Sequence, residues 1–155
     1  IIDMGIYPAA LSQQFLGNPT EIHAFGKLHP NQIDEETHTF MRFANGSRSN
    51  FVLSARTTLP HWAGVSGSKG AITFGTPWFT PSSITFHEQT FNGAQTTWED
   101  DLGIPEHLGL IYQVHAFAQY VEQGLLEGPL YTHHDSLSNI KTVLEIGNLI
   151  GTRYK

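Results

Sequence analysis

The spacing of hydrophobic residues predicts a helix over about 4–16. Positions i, i+3, i+7 and i+11, which share one helical face, are occupied by Met4, Tyr7, Leu11 and Phe15. Gly17-Asn18-Pro19 ends this helix with a C-cap glycine and a breaker. Pro8 has no N–H to offer the carbonyl of Met4, so either the regular helix begins near Gly5 or it kinks beside Tyr7.

Seven short runs of alternating or β-branched residues predict strands. They lie at about 21–28, 36–43, 48–57, 63–66, 71–74, 83–88 and 94–98. Asn45-Gly46 predicts a two-residue type I′ hairpin turn, because both residue types tolerate positive φ. Counting outward from that turn sets Phe40 opposite Phe51 and His38 opposite Leu53.

This register predicts two different faces on the hairpin. One face carries Phe40, Phe51 and Leu53 and is expected to join the core. The other face mixes polar and apolar residues, a composition that suits contact with another subunit or domain. Its residues are Thr37, Thr39, Met41, Phe43, Arg48, Asn50 and Val52.

Two further helices are predicted near the end of the chain. One covers about 108–123, where the apolar stripe is Leu110, Val114, Phe117 and Val121. The other runs to about Ile150 with Asp135 as its N-cap, and its expected buried side carries Ile140, Leu144 and Gly147. A helix, a long run of antiparallel strands and two helices predict an α+β fold. We expect an open, mainly antiparallel β-sheet with helices packed on one face, in one domain spanning residues 1–155.

Composition narrows the classes of partner. Charged residues make up 14% of the 155 residues, and the net charge is -6 without a basic cluster. Such a chain is a poor binder of nucleic acid and of anionic membranes. It has no cysteine and no apolar run of membrane-spanning length. We therefore expect no nucleic-acid or membrane partner and a cytoplasmic location.

The strongest candidate chemistry lies in the first predicted helix. Asp3 and Tyr7 are four residues apart, a spacing that places a carboxylate and a phenol on the same helical face. A phenol can exchange a proton with a substrate oxygen, but its free pKa is near ~10, so it needs a cation or hydrogen-bonded partner. The alternative is a structural role, with Asp3 as N-cap and Tyr7 in the core.

Other candidate groups carry weaker signals. His61, Trp62 and Trp78 lie in predicted loops, where aromatic side chains can line an apolar substrate pocket or cover the edge of the core. The densest histidine cluster, His133-His134-Asp135, does not suit one ion, because adjacent side chains diverge. No metal site is predicted. No Gly-x-Gly-x-x-Gly or Walker loop is present, so no residue of this chain is predicted to bind a dinucleotide.

Several of these segments together are similar to a known family. Asp3-x-Gly5-x-Tyr7, followed by a helix and Gly-Asn-Pro, resembles the start of the second domain of the glucose-fructose oxidoreductase / inositol dehydrogenase / MocA (GFO/IDH/MocA) family. Most members have His where Tyr7 stands, and tyrosine resembles the dihydrodiol dehydrogenase and glucose-fructose oxidoreductase branch. Residues 66–72, 109–124 and 134–137 also match, in the right order.

The resemblance implies a dihydrodipicolinate reductase-like domain of a two-domain oxidoreductase. A Rossmann domain, absent from this chain, would hold NAD or NADP and supply a catalytic lysine from a Glu-Lys-Pro motif. The present domain would supply Tyr7 as proton donor or acceptor, bind a sugar, polyol or dihydrodiol, and form a homo-oligomer through its sheet face. The chain opens inside the matched motif, which implies a fragment that is inactive alone. The rival hypotheses are a non-catalytic NAD(P)-dependent sugar sensor and a purely structural dimerisation domain.

Overall fold

A computed structural model describes residues 1–90, 92–104 and 108–153. Its helices are α1 (Ile2–Leu16), α2 (Leu110–Glu122) and α3 (His133–Ile150). Its strands are β1 (Pro19–Leu28), β2 (Asp34–Phe43), β3 (Arg48–Ser54), β4 (Gly64–Gly67), β5 (Gly70–Phe74), β6 (Ser83–Glu88) and β7 (Gln95–Glu99). All strand pairs are antiparallel, in sheets ordered β1-β2-β3 and β4-β5-β6-β7, which confirms the predicted α+β class.

The chain divides into two compact units. The first contains Ile1–Leu59 with Glu127–Lys155, and the second contains Pro60–Leu126. Strands β1 to β3 and helices α1 and α3 therefore belong to the first unit, while β4 to β7 and α2 belong to the second. In the described ranges no helix combines the length and the apolar character needed to cross a membrane.

The β2–β3 hairpin has a three-residue connection, so the predicted two-residue turn is wrong. The N–H of Phe43 donates to the carbonyl of Ser47 at 3.1 Å, and the N–H of Gly46 donates to the carbonyl of Phe43 at 2.9 Å. Only Gly46 adopts positive φ in this loop, at 82°. Asn45 instead accepts a hydrogen bond from the N–H of Ser47 through Oδ1 at 3.0 Å, which forms a local side-chain turn.

This connection shifts the pairing by one residue and reverses the faces of β2. Thr39 lies opposite Phe51, and Phe40 lies opposite Asn50. Because side chains alternate along a strand, a one-residue slip moves the whole set to the other side. Phe40 is consequently 53% exposed and not in the core, whereas Phe43 is 2% exposed. The buried face of β2 consists of Glu35, Thr37, Thr39, Met41 and Phe43.

Helix α1 packs through its small residues. Gly5, Pro8 and Ala9 are buried, and Ala9 joins Ile1, Val143 and Ile146 in the core. A Cβ on Gly5 would lie 2.3 Å from Ile1 Cδ1 and 3.4 Å from Leu53 Cδ1, so a larger residue would require the Ile1 side chain to move. Phe51 and Leu53 pack against the same core, as predicted. The larger stripe residues Met4, Tyr7 and Phe15 are half-exposed, because the small side of α1 faces the sheet.

Helix α3 begins with a capping box, and the prediction of Asp135 as its N-cap is wrong. Thr132 is the N-cap, and Asp135 is the third helical residue. The Asp135 carboxylate accepts from the Thr132 hydroxyl at 2.7 Å and from the Thr132 N–H at 2.8 Å, which lowers the pKa of Asp135. The buried face is Asn139, Thr142, Val143, Ile146 and Gly147. Gly147 was predicted there, but Leu144 is exposed.

The second unit is built on its own four-stranded sheet. A tight turn joins β4 to β5 with Gly67 opposite Gly70. At the end of β7, the hydroxyl of Tyr112 donates to Asp100 Oδ2. This hydrogen bond lowers the pKa of Asp100 and raises the pKa of Tyr112. The predicted apolar stripe of α2 is mostly exposed.

Candidate functional site

Asp3 and Tyr7 lie on the exposed side of α1. Tyr7 is 52% exposed and Asp3 is also exposed, one helical turn away. The structural alternative for these residues is therefore wrong in both parts. Tyr7 is not in the core, and the N-cap of α1 is Ile1, with Asp3 in the first turn. A carboxylate in the first turn is favourable to the helix dipole.

Pro8 lies beside Tyr7 inside a continuous helix, and not in the first turn of a helix that begins near Gly5. Helix α1 begins at Ile2, so Pro8 lies in its interior. Because proline lacks an N–H, the carbonyl of Met4 loses its intrahelical donor. Two residues later, the carbonyl of Ile6 accepts a hydrogen bond of 3.0 Å from Nδ2 of Asn139 on α3.

The second half of α1 is fixed by polar side chains. Nε2 of Gln13 lies 3.0 Å from Ser138 Oγ and 3.3 Å from Thr142 Oγ1, both on α3. The hydroxyls of Ser12 and Ser49 lie 2.6 Å apart and join α1 to β3. Sequence reasoning missed Gln13 and Asn139, because their partners lie on a distant segment of the chain.

The predicted aromatic residues form a group in the second unit. The backbone N–H of Trp78 donates to the backbone carbonyl of His61 at 3.3 Å. Both side chains lie near Phe79, with ring centroids 6.1 Å from His61 and 5.9 Å from Trp78. Trp62 is 66% exposed. The structure thus brings His61 and Trp78 together and adds Phe79, which the run Pro77-Trp78-Phe79 could have indicated.

Two open grooves lie in the first unit, with volumes of about 460 and 360 Å³. Both are lined by Asn18, His134 and Ser138, and neither is lined by Asp3 or Tyr7. The grooves are therefore distinct from the Tyr7 position.

Within residues 1–90, 92–104 and 108–153, no group of three or more His, Asp or Glu side chains could hold a metal ion.

The outer face of the first sheet combines apolar and charged residues. Phe25, Phe40 and Val52 are exposed on it. Arg42 and Glu21 form an ion pair of 3.2 Å, and His38 contacts Glu36 at 2.7 Å. The pKa of Glu21 is lowered by its hydrogen bond to His23 and by the charge of Arg42. This face differs from the predicted mixed face, because the β2 residues of that prediction are buried. They are Thr37, Thr39, Met41 and Phe43.

The first part of the chain matches a protein family in sequence. Residues 1–73 match the family described as GFO/IDH/MocA C-terminal domain. This match includes α1 with Asp3 and Tyr7, and it ends within β5.

Curated relatives match almost the whole chain. The trans-1,2-dihydrobenzene-1,2-diol dehydrogenase of Mus musculus is 22% identical over 99% of this chain and 46% of its own length. The corresponding protein of Xenopus tropicalis is 26% identical over 88% of this chain and 42% of its own length. The chain thus spans about half the length of the curated relatives it matches.

Solved structures share the fold. An aldose-aldose oxidoreductase from Caulobacter crescentus, complexed with glycerol, superposes with a TM-score of 0.72 at 18% identity, over 95% of this chain and 44% of that chain. The 3-ketoreductase KijD10 from Actinomadura kijaniata, in complex with TDP-benzene and NADP, gives a TM-score of 0.68 at 18% identity, over 96% and 45% of the two chains. Residues 1–73 thus match the GFO/IDH/MocA C-terminal domain, nearly the whole chain is similar in sequence to dihydrodiol dehydrogenases, and its fold is shared with solved oxidoreductases.

Proposed function

We propose that this chain forms the substrate side of an NAD(P)-dependent oxidoreductase that acts on the CH–OH group of a sugar, polyol or dihydrodiol. The observation that carries the proposal is the exposed phenol of Tyr7, with Asp3 one turn away, in the segment that matches the family. A core tyrosine could not reach a substrate, whereas this one can. The names of the relatives support the substrate class.

In this proposal Tyr7 moves the proton. Its Oη donates a proton to a substrate carbonyl oxygen during reduction, or accepts one from the alcohol during oxidation. A bound dinucleotide would supply or accept the hydride. Since a free phenol titrates near ~10, Tyr7 needs a neighbouring cation at neutral pH, and the family resemblance assigns that role to a lysine of the other domain. Asp3 would help to orient the substrate hydroxyls.

The aromatic group of the second unit is proposed to contact the substrate. His61, Trp78 and Phe79 already pack together, so their rings need little ordering on binding. Trp62 presents an indole with an exposed apolar surface and an N–H donor. Such a group suits the apolar face of a sugar ring or a dihydrodiol.

This proposal predicts that the chain alone does not bind the cofactor. The sequence has no Gly-x-Gly-x-x-Gly, and the glycines at 67 and 70 pair across a tight hairpin. We expect calorimetric or fluorescence titration with NADH and NADPH to detect no micromolar binding, and we expect no dehydrogenase turnover. Micromolar affinity of residues 1–155 for either dinucleotide would contradict the assignment of cofactor binding to another domain.

A second function, homodimerisation through the first sheet, is supported by the charges on its outer face. Glu21 on β1 lies beside Arg42 on β2 at one end, and Lys27 lies beside Glu36 at the other end. The sign of the charge therefore reverses along both strands. If the outer faces of two copies pack against each other, a two-fold axis perpendicular to the strands would place Arg42 opposite Glu36 of the second copy. Phe25 and Phe40 would form the apolar centre of this contact. An axis along β2 would instead oppose Arg42 to itself.

Charge reversal tests this arrangement. We expect Arg42→Glu to raise the dimer dissociation constant by at least about tenfold, because two attractive pairs become repulsive. Combining it with Glu36→Arg should restore the dimer, since the pairs are then exchanged. Lys141→Glu on α3 makes the same change in net charge and serves as control. Sedimentation velocity measures the outcome, and an unmodified chain that remains monomeric would count against this interface.

A further inference from the structure

Tyr7 stands where α1 is weakest in its own hydrogen bonding. Pro8 follows it directly and removes the donor that the carbonyl of Met4 would use in a regular helix. Helices can kink or shift at such a position unless a neighbouring element supports the backbone. The side chain of Tyr7 is 52% exposed and lies on the side of α1 opposite the buried Gly5, Pro8 and Ala9.

Asn139 supports the backbone at this position. Its Nδ2 donates to the carbonyl of Ile6 at 3.0 Å, and this carbonyl belongs to the peptide group that carries the nitrogen of Tyr7. Asn139 is only 7% exposed and lies on the buried face of α3. An amide oxygen could not hydrogen-bond to a carbonyl, so the orientation of the Asn139 amide follows from the contact itself.

The amide oxygen of Asn139 indicates that the hydrogen bond from Nδ2 to Ile6 is the main polar contact of this side chain. Oδ1 of Asn139 is buried and makes no hydrogen bond to the part of the protein that the structure describes. An apolar residue would avoid the cost of burying that oxygen. Against this cost, the amide contributes a donor to the Ile6–Tyr7 peptide.

The other contacts of α1 are apolar packing, including that of Ile6 on the core, and polar contacts further along the helix. Gly5, the residue directly before Ile6, lies close to Leu53, and Gln13 binds Ser138 and Thr142 more than one turn after the Ile6–Tyr7 peptide. These contacts fix the position of α1 on the sheet and on α3. Among the described side chains, Asn139 acts directly on the peptide that precedes the phenol. Since the hydroxyl is at the far end of Tyr7, a small rotation of this peptide is amplified at Oη.

We infer that Asn139 is a positioning residue for Tyr7, which holds the Ile6–Tyr7 peptide so that the phenol hydroxyl is presented at a fixed height and direction to the substrate. This inference rests on the proposed function of Tyr7 for its catalytic consequence. Its structural part, the coupling between the Asn139 amide and the Tyr7 ring, can be measured on the chain alone.

The structural test uses the chain labelled with ¹³C-tyrosine, in which the Tyr7 resonance is identified by its loss in Tyr7→Phe. We expect Asn139→Leu, which removes the donor without adding charge, to shift the Tyr7 resonance and leave Tyr112 and Tyr131 in place. Thr142→Val is the matched control, because it removes a different polar contact between α3 and α1, the one to Gln13. Should Asn139→Leu fail to fold, Asn139→Ala adds no bulk and gives the same readout.

Kinetics of a protein that contains both domains test the consequence. We expect Asn139→Leu to lower kcat by about 10–100-fold with little change in KM, since a misplaced catalytic group slows the chemical step more than binding. A Tyr7 resonance that does not move, or that moves equally in Thr142→Val, overturns the positioning role. If Tyr7→Phe retains turnover while the resonance still shifts in Asn139→Leu, the proposed function fails but the coupling stands.

Discussion

Replacing Tyr7 by Phe in a protein that contains both domains is expected to lower kcat by about 10²–10⁴-fold, the usual contribution of a positioned acid or base. The change removes only the hydroxyl. Tyr7 is 52% exposed, while the residues of α1 that pack on the sheet are Gly5, Pro8 and Ala9. The fold should therefore be unaffected, and the loss should appear in steady-state kinetics with the alcohol substrate.

The control for this variant is Tyr131→Phe. Tyr131 belongs to the same unit and is 42% exposed, so the two substitutions have comparable surroundings and the same chemistry. We expect turnover of Tyr131→Phe to match that of the unmodified protein. Asp3→Asn should have an intermediate effect, because it retains hydrogen bonding but loses the charge. Full turnover in Tyr7→Phe would show that Tyr7 is not the proton relay, whereas no turnover in the unmodified two-domain protein would favour the non-catalytic sensor.

The position of Tyr7 could be predicted from sequence, but its surroundings could not. The i, i+4 spacing of Asp3 and Tyr7 sets them on one face of a helix, and both are indeed exposed together. Periodicity does not tell which face of a helix is buried when the opposite face carries small residues. Gly5 and Ala9 contribute little hydrophobic signal, yet they allow the close packing that directs Tyr7 outward.

The same limit applies to α3. Its apolar residues Ile140 and Leu144 suggested the buried side, but the buried face includes the polar Asn139 and Thr142. Each of these has a partner on α1, at Ile6 and at Gln13 respectively. A polar residue is buried when a distant segment provides its hydrogen bond, and that information is not present in the local pattern. Long-range pairs therefore determined the part of the site that sequence reasoning missed.

Strand boundaries were predictable to within a few residues, whereas the register of the first hairpin was not. Asn-Gly is compatible with a two-residue turn and with a longer loop in which only glycine has positive φ. The difference is one residue, and it decides which side of β2 is buried. Phe43 had been expected on a contact face. Its burial means that a charged substitution there would unfold the first unit and could not report on dimerisation.

The corrected register makes a prediction that separates two phenylalanines three positions apart on β2. We expect Phe43→Ala to lower the free energy of unfolding of the first unit by about 3–5 kcal/mol, because it empties a fully packed core position. Phe40→Ala on the outer face should cost less than about 1 kcal/mol, as surface substitutions usually do. The predicted register with a two-residue turn requires the opposite order.

The measurement must report on the first unit, and the distribution of tryptophan provides the means. All three tryptophans, at positions 62, 78 and 98, lie in Pro60–Leu126, so their fluorescence follows the second unit and serves as an internal control. Hydrogen exchange in peptides from β1 and β2 follows the first unit. Working at low protein concentration keeps any association through Phe40 out of the comparison, because only a monomeric reference isolates folding from binding. Faster exchange of β1 and β2 in Phe43→Ala than in Phe40→Ala would establish which face is the core and, with it, that Phe40 and its charged neighbours are available to a partner.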